Sequence, residues 1–308
     1  MQAIGQNAHR SIQVARQVPG IPTDTVPPHR EADPAELRGT LYAIQPNGSD
    51  ATVLKHNGET RPDGHDIPDD AVVNHRVILL TEGIGDDIQD YTRLMRGLMQ
   101  STDQPFDINV HQPLLSIHEG TSAKGDKDVE RIAHDILLVK RLERGDRVDP
   151  AHAFKVDPAV QTIVNVVRQG LDAGHDMLLV PHSGGGPENA LALHLLAQEG
   201  YKDAIGQHVR VLSLAGVLTP TDYHQAGVKP GHVYYTADHR DAIGGLGTIY
   251  IDPDKPDSII HAAEEMKKNA HNHPTYHNND DNFRDNTKNG HNQIVDFING
   301  GPGGTYIW

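Results

Sequence analysis

Short apolar runs alternate along this chain with stretches in which apolar residues return every three or four positions. Val77 to Leu80, Met177 to Val180, Val209 to Gly216 and His232 to Asp238 have the near-continuous apolar character of strands buried on both faces. Phe106 to Gln112 reads as a further strand, and residues 113–125 read as irregular. Leu37 to Leu54 predicts a β-hairpin, LYAIQ and ATVLK joined at Pro46-Asn47-Gly48. Helical spacing appears in Ile88, Tyr91, Leu94, Met95 and Leu98, and in Ile132, Ile136, Leu137 and Val139 within Val129 to Leu142. A helix opening at Asp157-Pro158 places Val160, Ile163, Val164, Val167 and Leu171 on one face. Another follows the run at Val180, with Ala190, Leu191, Leu193 and Leu195 inward and Pro187 in its first turn, where a missing N–H costs nothing. Strands alternating with helices predict an α/β fold: a doubly wound, mostly parallel sheet with helices on both faces and right-handed crossovers.

The chain's 308 residues suffice for one large α/β domain. Residues 1–36, rich in Pro, Gln and Thr, read as a flexible arm ahead of a domain spanning 37–308. A formal net charge of −15 disfavours nucleic acid and anionic membranes as partners, although 21 histidines would erase much of that charge at mildly acidic pH. With no cysteine, disulfides and cysteine catalysis are excluded. No apolar run approaches a transmembrane segment, and MQAIGQNAHRSIQ lacks the apolar core of a cleaved signal. The expected location is cytoplasmic, or outside the cell by a route without a cleaved signal peptide.

The segment Asp176 to Leu196, DMLLVPHSGGGPENALALHLL, runs strand, glycine-rich turn, helix, with Ser183 at the apex. That is the geometry of a nucleophile elbow, in which small residues let strand and helix backbones approach and the helix N-terminus faces an oxyanion. A Walker loop would need Gly-Lys-Ser/Thr before its helix, and a dinucleotide loop G-x-G-x-x-G; neither is present. On Pro181-His182-Ser183-Gly184-Gly185 the chain resembles the α/β-hydrolase superfamily, whose signature is G-x-S-x-G, with Pro181 in place of the first glycine. The resemblance implies an α/β-hydrolase fold with cap or lid insertions, here at 113–125 and 242–290. It implies a serine hydrolase cleaving carboxylic esters, of a small molecule or a lipid, through an acyl-enzyme and without an organic cofactor.

What the resemblance assigns falls on named positions. Ser183 is the nucleophile, and the N–H of Gly184, with one from the Gly83-Ile84 turn, forms the oxyanion hole. Glu82 stands where the family often has histidine. The acid follows a late strand, at Asp241 in preference to Asp238. The base lies near the C-terminus, at His291, with His273 and His277 as alternatives. His182 and His194 are expected to serve packing and hydrogen bonding, while His111 and His118 are placed to line a pocket. The polar stretch 271–290 supports a competing chemistry: His271, His273 and His277 offer zinc ligands, and Asp285, Thr287, Asn289, Gly290 and Asp296 loosely follow calcium-loop spacing. A solvated loop explains the same composition. Beside the esterase stand a non-catalytic hydrolase-fold binding protein and a metal-dependent hydrolase.

Overall fold

The computed structural model describes residues 38–44, 51–55, 64–83, 114–118 and 126–236, with single positions 252, 254, 255, 258, 260, 261, 264, 294 and 297. Seven strands form one sheet: β1 (Leu41–Ile44), β2 (Ala51–Lys55), β3 (Arg76–Thr81), β4 (Leu114–Ile117), β5 (Asp176–Pro181), β6 (Val209–Leu214) and β7 (Val233–Thr236). Their order is β2-β1-β4-β3-β5-β6-β7. The hairpin strands β1 and β2 pair antiparallel, and β1 joins β4 antiparallel; β4, β3, β5, β6 and β7 are mutually parallel. The expected α/β class with a mostly parallel sheet is what the chain forms.

Six α-helices are described: α1 (Asp126–Glu143), α2 (Pro150–Val156), α3 (Pro158–Asp172), α4 (Gly185–Leu196), α5 (Lys202–His208) and α6 (Pro220–Gln225). α3 begins where Asp157 accepts a hydrogen bond from the N–H of Ala159 at 2.8 Å and Pro158 supplies a preset φ. Its five expected inward residues, Val160, Ile163, Val164, Val167 and Leu171, are all buried. One face of the sheet carries Leu79, Leu115, Ile117, Leu179 and Val211 against α1, α3 and α4. The other carries Ile78, Leu80, Val180 and Leu212 with Ile294 and Phe297, both helical and buried. α4 is buried along its whole length, as expected of the helix lying between sheet and neighbouring helices.

One expectation is corrected. Residues 114–117 are not irregular but form β4, between β1 and β3. All four are buried, Ser116 among them, as befits a central strand covered on both faces. The strand expected at 106–112 and the helix expected around 88–98 lie outside the described residues, as does most of 242–290. No described helix is long and apolar enough to cross a membrane.

Candidate active site

Parallel strands expose their C-terminal ends on one edge, and the ends of β3 and β5 adjoin there. From β3 the chain passes to β4 on one side; from β5 it passes to β6 on the other. The crevice between two such diverging connections is the usual ligand site of an open α/β sheet. Ser183 and Gly83 both fall on it, two residues past the ends of β5 and β3.

Ser183 leaves the strand abruptly. His182 still forms a bridge to Leu214, and the N–H of Ser183 donates to the Leu214 carbonyl at 2.9 Å. The backbone of Ser183 then takes φ of 47°, in the left-handed region that costs a non-glycine residue of order 1–3 kcal/mol. The N–H of Gly185 donates to the His182 carbonyl at 2.8 Å, that of Gly186 to Ser183 at 3.1 Å, and α4 begins. A β-carbon on Gly185 would lie 2.7 Å from the Thr81 carbonyl oxygen and 2.8 Å from that of Glu82. Glycine is thus required where the elbow helix presses on the end of β3. Asn189, buried in α4, clasps the same junction by donating to Thr81 Oγ1 at 2.7 Å and to the Gly185 carbonyl at 2.8 Å. Pro181 is accommodated because it ends the strand, opposite Thr81, and the N–H of His182 donates to the Thr81 carbonyl at 3.0 Å.

Glu82, the residue before Gly83, is fully buried. Its carboxylate bonds to Nδ1 of His118, the residue after β4, so its charge is held by the imidazole beside it. The ring of Tyr42 meets His118 edge-on, and burial with the Glu82 charge pushes the Tyr42 hydroxyl up to about 12.

Behind the elbow lies a buried charge cluster that the sequence reading did not find. Arg131 of α1 bonds through Nη1 to Asp157 at the start of α3 and to Glu188 in the first turn of α4, the latter at 2.5 Å. Asp135 lies close by, 3.9 Å from the same nitrogen. Burial and then the Asp157 charge push the Asp135 carboxyl well above its ordinary value, Arg131 opposing. Burial acts on Asp157 too, but Arg131, a hydrogen bond from Asp135 and the N–H of Ala159 hold it low. The two carboxyls are thus driven apart in proton affinity, Asp135 up and Asp157 down, with Arg131 between them. Asp135, Asp157 and Glu188 lie close enough to hold a metal ion. The guanidinium already supplies the cation among them, which argues for a brace rather than a metal centre.

His194 does serve packing and hydrogen bonding, its Nε2 lying 3.0 Å from the Asp222 carbonyl oxygen. Burial pushes it down to about 4. Near it, burial pushes Glu143 up to about 7, with Lys140 opposing and Asp222 contributing.

Of the assigned site residues, Ser183, Gly184 and Gly83 are described, and the fold brings Ser183 and Gly83 to one crevice. Ile84, Asp238, Asp241, His273, His277 and His291 lie outside the described residues, as do His111, Asp285, Asn289 and Asp296. Two flanking observations bear on them. β7 ends at Thr236 on the same edge as Ser183, two residues before Asp238. Ile294 and Phe297, three and six residues after His291, are buried in the core cluster that holds Leu80 and Val180. Compared with known proteins, the chain matches no family model, no curated protein and no solved structure.

Proposed function

We propose that this protein is a serine hydrolase of carboxylic esters, of a small molecule or a lipid, with Ser183 as nucleophile. The observation that supports this most strongly is the left-handed backbone of Ser183 on a strand-to-helix turn at the switch point of a parallel sheet. Left-handed strain in a non-glycine residue often marks a functional site, and directly before a helix N-terminus it would suit a hydroxyl presented to that terminus.

In the proposed reaction, Ser183 Oγ attacks the acyl carbon as His291 takes its proton, with Asp241 (or Asp238) holding the imidazole's tautomer. The N–H of Gly184, with one from the Gly83-Ile84 turn, receives the charge that develops on the carbonyl oxygen. His291 returns the proton to the leaving alcohol, and water then attacks the acyl-enzyme by the same relay. The Glu82–His118 pair makes the oxyanion turn compatible with that charge, because a lone carboxylate at this place would repel it. A non-catalytic ligand-binding reading rests on the same residue, since a buried acid beside the turn is a hindrance that a binding protein would not feel.

A fluorophosphonate probe separates the readings. Labelling that disappears in Ser183→Ala, together with hydrolysis in a panel of short and long p-nitrophenyl esters, supports the esterase. Hydrolysis that survives Ser183→Ala but not a chelator supports a metal-dependent enzyme. Absence of both labelling and hydrolysis in folded protein supports the binding protein.

A further inference from the structure

The opposite edge of the sheet, where the parallel strands begin, carries a second concentration of metal-ligating groups. β3 is entered through a two-residue turn in which Val73 and Arg76 exchange backbone hydrogen bonds of 2.9 and 3.1 Å around Asn74 and His75. Both central residues have positive φ, 51° and 62°, as a type I′ turn demands. That turn favours Asn followed by Gly; here an exposed histidine takes the glycine's place. The register of β3 on β5 pairs Arg76 with Asp176, which sets His75 opposite His175, the residue entering β5. The two rings lie 6.0 Å apart, tilted by 37°.

We propose that His75 and His175 form a binding site for one divalent ion of the imidazole-preferring kind, zinc, nickel or copper, on the sheet edge away from Ser183. Zinc–nitrogen bonds of about 2.1 Å put two rings on one tetrahedral ion with centres about 5 Å apart, so a closure of about 1 Å at an exposed turn completes the pair. Nδ1 of His175 is shut off from solvent and has no hydrogen-bond partner, the condition of a donor kept for something else. Burial and then the neighbouring His75 lower the His175 imidazole's affinity for a proton, with Asp176 opposing, and the neutral ring is the one that ligates. The carboxylate of Asp176 adds negative charge nearby, and it already engages Nδ1 of His208 at 2.9 Å. An ion here ties the turn before β3 to the start of β5, the two strands that carry the crevice at their far ends.

The site is independent of the esterase reading, and its test uses a variant that cannot fail by misfolding. His75→Gly places in the I′ turn the residue it favours, so the metal-free variant should unfold at the same or a higher temperature than the wild type. Zinc is titrated into the full chain, followed by calorimetry and by thermal unfolding. The expected result is one equivalent bound by the wild type with a raised unfolding midpoint. His75→Gly and His175→Asn should each weaken that binding by tenfold or more and abolish the midpoint shift. The rings of His134 and His152 lie 5.6 Å apart on other elements, with Nδ1 of His134 also unpartnered, and are the competing pair; within the regular helix α1 that Nδ1 faces Asp135 at 3.8 Å, so His152→Gln should leave the titration unchanged. Zinc binding undiminished in His75→Gly, binding lost instead in His152→Gln, or no stoichiometric binding in the wild type would each overturn the proposal.

Discussion

Replacing Gly185 with alanine sets two effects against one another, and their magnitudes differ enough to decide the outcome. Alanine is the better helix former by about 1 kcal/mol, and α4 would gain up to that amount. The added β-carbon, however, would lie 2.7 and 2.8 Å from the carbonyl oxygens of Thr81 and Glu82, both backbone atoms. Neither can rotate aside, so helix and strand must part by several tenths of an ångström, and overpacking of this kind costs about 1–3 kcal/mol. The net expectation is a loss of about 1–2 kcal/mol, read as a lower urea midpoint with an unchanged slope. If the proposed esterase reading holds, the same displacement draws Gly83 away from Ser183, and losing one oxyanion donor would cost about 3 kcal/mol of barrier, a hundredfold or more in kcat. Gly170→Ala supplies the comparison. There the new carbon meets the sulfur end of the Met177 side chain, which can rotate away, so that variant should be nearly neutral. If Gly185→Ala is as stable as the wild type, or if Gly170→Ala is the more damaging of the two, the close approach of elbow helix and β3 is not what fixes the crevice.

Three further outcomes are expected. Ser183→Gly should be more stable than Ser183→Ala by about 1 kcal/mol in urea unfolding, because alanine keeps the β-carbon that disfavours φ of 47° and glycine removes it; the opposite ranking would contradict a strained elbow. Arg131→Met should cost about 3–5 kcal/mol by leaving Asp157 and Glu188 buried without their cation. Since the stranded carboxyls then have raised native pKa values, part of that loss should return on acidification from pH 8 to pH 5, as thermal midpoints will reveal. His194→Gln should unmask an opposing titration. Burial pushes His194 down to about 4, so the unfolded chain takes up this proton first, and stability present above pH 6.5 is lost as pH falls. Glu143 is pushed up to about 7, so its contribution is full below pH 4.5 and is lost as pH rises through 7. The two slopes largely cancel in the wild type. Without His194, stability should rise as pH falls from 7 to 4.5, the direction that the raised Glu143 value sets; a profile parallel to the wild type refutes the pairing.

What could be read from the sequence was whatever its local pattern encodes. Met177 to Val180 followed by glycines and a helical pattern can hardly be anything but strand, turn and helix, and β5, Ser183 and α4 stand where that pattern put them. The Asp157-Pro158 start was equally plain, because cap and proline act within one turn. The same cap-and-proline signal at Asp149-Pro150 opens α2, whose seven residues are too few to display a helical period. β4 was missed because LLSI has no alternation and follows a segment that does. Arg131, Asp157 and Glu188 were missed for a different reason. Each resembles an ordinary surface charge until three elements converge and bury it with its partners.

Register is the level at which the remaining chemistry becomes visible. Glu82 and His118 are 36 positions apart in the chain and have no local signal in common. They meet because β3 and β4 pair Thr81 with Ile117, so the residue after each strand falls beside the other. The same rule at the opposite end, Arg76 on Asp176, brings His75 against His175. A slip of one residue between β3 and either neighbour would turn Glu82 to the opposite face from His118, or His75 from His175, because side chains alternate with period two. It would also exchange Leu79 and Ile78 between the two core faces, where neither fits the other's place, so misfit in packing opposes the slip. The packing of β3 on its two faces therefore fixes more than the core. By locking the register it decides which polar residues meet at the two edges of the sheet, and so places the Glu82–His118 pair beside Ser183 and the two histidines at the far edge.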